Sequence, residues 1–106
     1  MFILKQAIIE RRTFKCHYTD DVLDRELAPY AIYEAAEGQV FLYALQLYNA
    51  NHPSEPQELR NFEVKNLHSI LLTEHRFRPD VAFSVTANIG KCRRVLASVE
   101  NRWITV

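Results

Sequence analysis

The apolar positions of this chain change period near Arg12. Before it, Phe2, Leu4, Ile8 and Ile9 recur among Lys5, Gln6 and Glu10 without Gly or Pro. That spacing predicts an amphipathic helix of about two to three turns. A helix this short is marginal alone, so its apolar side must dock on the rest of the chain. Arg11 and Arg12 stand at its end, where cations complement the helix dipole. From Thr13 to Tyr18 the period is two: Phe14, Cys16 and Tyr18 take one face, and Thr13, Lys15 and His17 the other. This is the pattern of a half-buried strand.

Thr19-Asp20-Asp21 is rich in turn formers. Arg25 to Ala36 is the next extended run. Pro29 lies inside it and marks an edge or a bulge, because proline donates no ladder bond. Glu37-Gly38-Gln39 predicts a tight hairpin connection, since Gly adopts positive φ at little cost. Val40 to Tyr48 is nearly all apolar or aromatic, as in a strand covered on both sides. Asn49 to Gln57 holds two prolines and reads as an exposed loop. Leu59 to Leu67 resumes strand periodicity with Phe62 and Val64 on one face, and Ser69 to Thr73 continues it.

Arg76-Phe77-Arg78-Pro79-Asp80 breaks the pattern, and Val81, Phe83 and Val85 alternate again. Ile89, Cys92, Leu96, Val99 and Trp103 then recur at spacings of three and four, a helical stripe whose start Gly90 weakens. The expected fold is mainly β with flanking helices. Residues 1–80 form the main unit, and residues 81–106 form a strand/helix extension that packs on it or on a partner.

The chain has 106 residues, 48% of them apolar, enough for one domain with an ordinary core. The formal net charge is zero, which argues against a wholesale polyanion binder. The charge is uneven, however. Residues 1–75 carry 7 basic and 11 acidic side chains, and residues 76–106 carry 6 and 2. The basic third either packs on the acidic part of this chain or of a second copy, or serves as an arm for nucleic acid. Arg102 and Trp103 belong to it, the tryptophan as an interface anchor or a core residue.

Cys16 falls on the strand face of Phe14 and reads as a small core hydrophobe. Neither it nor Cys92 sits in a C-x-x-C pair, and His17, His52, His68 and His75 lack ligand spacing, so no metal is expected. Phe2 to Ile9 is too short to span a bilayer, and a reducing cytoplasm is the default. No Ser-His-Asp or Cys-His constellation can be read. Two glycines, Gly38 and Gly90, cannot build a phosphate loop. The chain is therefore expected to be a binding protein without cofactors rather than an enzyme.

Several landmarks occur in a telling order: Arg11-Arg12-Thr13-Phe14-Lys15-Cys16-His17-Tyr18, then Pro29-Tyr30, then Val40-Phe41-Leu42-Tyr43, then Arg60-Asn61-Phe62-Glu63-Val64. Over about residues 5–78 this order resembles the WYL domain. The resemblance implies a small Sm/SH3-like five-stranded barrel with an N-terminal helix. It also implies a ligand-sensing role in bacterial transcription regulators and in phage-defence or CRISPR-associated proteins, some of which bind nucleotides or single-stranded DNA. The chain departs from the family text in places. Val40 and Phe41 replace Trp and Tyr, Ala28 replaces an acid, and Glu63 and Asn66 replace two of three arginines, leaving Arg60. Replacing Arg by Glu reverses the local charge.

The candidate contacts for a nucleotide or single strand are Arg60, Lys15, Arg12 and His17. Arg60 has the parity of Phe62 and can reach solvent only near the barrel mouth or across a bulge. Tyr30 and Tyr43 are candidate stacking residues, placed nearest the ligand cleft by the resemblance. Tyr18, Tyr33 and Phe41 are aromatic alternatives, with Tyr18 and Phe41 favoured as core. Two functions follow. One is a regulatory module that recognises a nucleotide or short single strand. The other is an assembly or dimerisation domain that has lost the ligand site and meets a second copy or partner through an edge strand or the C-terminal segment.

Overall fold

A computed structural model of the protein describes residues 1–100. The helix expected at the start is α1, Phe2–Glu10, and it buries Leu4, Ala7 and Ile8, a spacing of three and four that makes one stripe. Arg11 ends it in the left-handed conformation at φ 53°. The chain then enters strand β1, Arg12–Tyr18, with Phe14 and Cys16 fully buried. Burial pushes the Cys16 thiol up to about 12, so it acts as a core hydrophobe.

Strand β2 is Arg25–Glu34 and strand β3 is Val40–Asn49. Between them Gly38 takes φ 96°, and Ala35 N–H donates to Gln39 O at 2.8 Å, closing the expected hairpin. Pro29 sits at a bulge: Pro29 faces Ala44, but Ala31 already faces Tyr43, so Tyr30 is the extra residue. Strand β3 is covered on both sides, as its composition predicts. Leu42, Ala44 and Gln46 point into the interior with Phe62, and Tyr43 on the opposite face lies under Phe83.

The stretch read as one strand from Leu59 onward is two strands. Strand β4, Glu58–Glu63, ends in a single 3-10 turn at Val64–Asn66, and strand β5, Leu67–Arg76, follows. The turn redirects the chain across the mouth of the sheet. The ladders run β4-β3-β2-β1-β5, all antiparallel. The expected five strands are present, but no ladder joins β4 to β5 among the described residues, so the sheet curls without closing. A side-chain bond ties the end of β4 to β1, the neighbour of β5: Glu63 N–H donates to Tyr18 Oη at 3.1 Å.

The helical stripe expected from Ile89 does not form a helix. A four-residue helix α2, Val85–Asn88, precedes it, and strand β6, Arg94–Ser98, occupies the stripe itself. β1 pairs with β2 only over Arg25–Leu27, and β6 pairs with β2 over Ala31–Glu34. The open backbone of β2 is thereby satisfied, which outweighs a weak local helix preference. Trp103 and Arg102, the end of the stripe, lie outside the described residues. No helix among those described is long and apolar enough to cross a membrane.

Candidate functional site

At the mouth of the curled sheet, Arg25 is the centre of a polar network. Its Nε and Nη2 donate to the two oxygens of Asp21 at 2.7 and 3.0 Å, and its Nη1 donates to Gln46 Oε1 at 3.0 Å. The guanidinium also lies 5.5 Å from the Tyr18 ring centroid and 6.0 Å from that of Phe62. Burial alone would raise the Asp21 carboxyl. The Arg25 bonds and the Tyr18 N–H at 2.9 Å outweigh it and hold the group below its usual value.

The network continues outward. Gln46 Nε2 and Asn49 Nδ2 both donate to Glu55 Oε1, at 3.0 and 3.1 Å, and these bonds keep the Glu55 carboxyl low. Glu55 in turn lies 3.7 Å from Arg60, which is also bonded to Glu58. Arg60 thus lies on the Phe62 face of β4, as its parity predicts, but two carboxylates already claim its guanidinium. Sequence reading did not single out Arg25. A charged residue in an alternating run looks like surface, and only the spacing Asp21 to Arg25 hints at its partner.

Arg12 is engaged as well. Its Nε donates to Thr73 O at 2.7 Å, and its remaining nitrogens reach Glu10 at 2.9 Å and Glu74 at 3.2 Å. It clamps α1 and β5 onto β1. Lys15 and His17 share the outer face of β1, as expected, but His17 Nε2 meets Asp24 at 2.9 Å, and its ring lies edge-on to His68 at 5.5 Å. Beside them Glu26 accepts from Thr13 at 2.7 Å and contacts His75 at 3.1 Å. Burial raises its carboxyl, and these bonds reverse the shift. Lys15 is exposed and makes no ion pair among the described residues.

The two candidate stacking residues are buried. Tyr30 and Tyr43 are 4% and 9% exposed. The Phe83 ring lies between them, edge-on to Tyr30 at 5.0 Å and stacked on Tyr43 at 5.8 Å. Phe77 adds a third ring against Tyr30 at 5.7 Å. The alternation Val81, Phe83, Val85 was legible, but its destination on the β2–β3 face was not. Tyr33 packs on Phe41 at 5.7 Å, and its hydroxyl donates to Asn61 across β3 at 2.7 Å. Tyr18 packs edge-on to Phe62 at 5.0 Å.

Among the described residues the basic C-terminal third meets the acidic part of its own chain at Glu34, which lies 2.8 Å from Arg94 and 3.8 Å from Arg93, and at Glu10, whose carbonyl accepts from Arg76 at 3.0 Å. Of the six predicted contact residues, the structure brings Lys15 and His17 together on one face. It sets Arg60 and Arg12 in separate ion pairs and covers Tyr30 and Tyr43. No group of three or more potential metal ligands occurs among the described residues. Comparison with protein-family models, curated proteins and solved structures finds no match to this chain.

Proposed function

We propose that the chain is a non-catalytic regulatory module of the WYL type that works by contact with another protein chain, not by gripping a nucleic acid in a basic cleft. The observation that carries this reading is the internal use of the cleft residues. Arg60 and Arg12 are held by carboxylates, and both tyrosines lie under Phe83. A phosphate would have to compete with Glu55 and Glu58 for Arg60, whereas protein contact requires no such exchange.

Strand β4 offers the docking edge. It pairs with β3 in unbroken register from Glu58 to Glu63, and its other edge has no ladder partner among the described residues. An unpaired edge accepts a strand of another chain through main-chain hydrogen bonds. Strand β5 is less suited, because two register shifts against β1 interrupt it.

Sedimentation velocity over a concentration series tests the homomeric form. Association is expected, and Leu59→Lys is expected to abolish it without unfolding, because Leu59 is 37% exposed on that edge. A monomer at high concentration counts against self-assembly. Fluorescence anisotropy with short single-stranded DNA at low salt separates the nucleic-acid reading. The assembly reading expects negligible affinity, and binding lost in Arg60→Ala would replace it with the first function.

A further inference from the structure

Between the end of β5 and the start of β6 the chain crosses the outer face of β2 and β3. Its two ends are pinned to the body of the fold: Phe77 N–H donates to Arg11 O at 2.9 Å, and Arg93 N–H to Glu34 O at 2.7 Å. Of the sixteen residues from Arg78 to Arg93, only Val85 and Ile89 pack partly buried against the core beside Phe83. Phe83 is the only one of them that is buried. Their hydrogen bonds are mostly internal: Phe83 N–H to Asp80 O, Ala87 N–H to Ser84 Oγ, and the α2 turns from Asn88, Ile89 and Gly90. Besides the Arg93–Glu34 contacts, two hydrogen bonds reach the rest of the described chain, from Asp80 N–H to Tyr30 Oη at 2.9 Å and from Val85 N–H to Glu100 Oε2 at 2.6 Å.

We propose that Arg78–Arg93 is a strap latched by Phe83, that it opens as a unit without unfolding the sheet, and that the uncovered Tyr30–Tyr43 pair takes a planar aromatic ring in place of Phe83. Segments with few buried apolar contacts open at far lower free energy than the core. The slot itself stays formed when the strap lifts, because Tyr30 and Tyr43 stand on β2 and β3, and the buried Ile32 of β2 and Leu42 and Ala44 of β3 hold those strands in the core. Its geometry is that of a ring site: one wall stacks at 22° and the other meets the ring at 73°. Such aromatic pairs favour a flat ring over an aliphatic group. A cleft of about 360 Å3, lined in part by Arg11, Arg78, Asp80, Phe83 and Val99, already opens beside the latch. A competing ring can approach through it. The strap goes beyond the assembly reading and does not depend on it.

Hydrogen exchange read by mass spectrometry on the intact chain tests both parts. In the wild type, amides of Asn88 to Gly90 are expected to exchange about a hundredfold faster than those of β2 and β3, with little dependence on low urea. Equal rates, with the same urea slope, would mean that the strap opens only in global unfolding and would overturn the proposal. In Phe83→Ala the strap amides are expected to lose their protection while β2 and β3 keep theirs. Should that variant fail to fold, the wild-type rates still decide the matter. Millimolar indole is the planar probe. A saturable rise in strap exchange, absent with cyclohexanol, supports the ring slot, and unchanged exchange overturns it.

Discussion

Removing the Arg25 side chain tests the network at the mouth of the curled sheet most directly. Arg25 is 13% exposed and its partner Asp21 is 8% exposed. Arg25→Ala leaves a nearly buried carboxylate without its cation and Gln46 Oε1 without its donor. Breaking one side of a buried pair costs about 3–5 kcal/mol. Because the site lies at the rim, water can enter once the guanidinium leaves, and the lower figure of about 3 kcal/mol applies. At a urea slope of about 1.5 kcal/mol/M that lowers the unfolding midpoint by about 2 M, read by far-ultraviolet circular dichroism. Asp21→Asn alone should cost less, and the double variant should cost less than the sum, because both changes remove one interaction. The same pair sets an acid limb. Asp21 titrates below its ordinary value of 3.8 in the folded chain, so its contribution is present above that value and is lost as pH falls through the lower, folded one. In Arg25→Ala the burial that raises the carboxyl is less opposed, and the limb below about pH 4 should shrink or reverse. A loss under about 1 kcal/mol at neutral pH, or an unchanged acid limb, would refute the assignment of Arg25 as the keystone.

Two further changes probe the frame. Tyr18→Phe removes the acceptor for Glu63 N–H, the side-chain bond that ties the end of β4 to the end of β1, and should cost about 1–2 kcal/mol in the same denaturation assay. A disulfide reagent at pH 8 should modify one thiol in the native protein and two in urea. Cys16 is fully buried with its thiol pushed up to about 12, whereas Cys92 is half-exposed, and rapid native labelling of both would contradict the packing of β1.

Much of the frame was readable because local rules and global packing agree there. Phe14 and Cys16 alternate with Thr13 and Lys15, Gly38 supplies the positive φ of the hairpin, and Pro29 marks a bulge where its missing N–H does no harm. The site was readable only as residue types. Arg60, Arg12 and His17 are residue types a phosphate site uses, but carboxylates engage each of them, Glu58 and Glu10 from two residues before the arginines and others from farther along the chain. Glu55 reaches Arg60 from the loop before β4, Glu74 reaches Arg12 from β5, and Asp24 reaches His17 from the start of the next strand. Strand parity gives the face of a side chain but not what the partner strand places opposite it, so charge at a position does not report charge that is free to bind.

The C-terminal third shows why the remaining error fell where it did. Ile89, Cys92, Leu96 and Val99 fit a helical period, and nearby in sequence only Gly90 speaks against it. The contradiction comes from β2. It is ten residues long, and β1 covers only its first three, so the backbone of Ala31–Glu34 would otherwise stand open beside a buried face. A buried backbone group without a partner costs as much as several residues of helix preference. Arg94–Ser98 supplies those bonds, and Glu34 draws in Arg93 and Arg94 at the same point. The demand is created about sixty residues upstream of the segment that meets it, beyond the reach of any local period. The same pairing fixes the far end of the Arg78–Arg93 segment, whose middle buries only Phe83, with Val85 and Ile89 partly buried beside it. The feature that local pattern misreads as a helix is therefore the anchor that turns residues 78–93 into a strap with Phe83 as its latch.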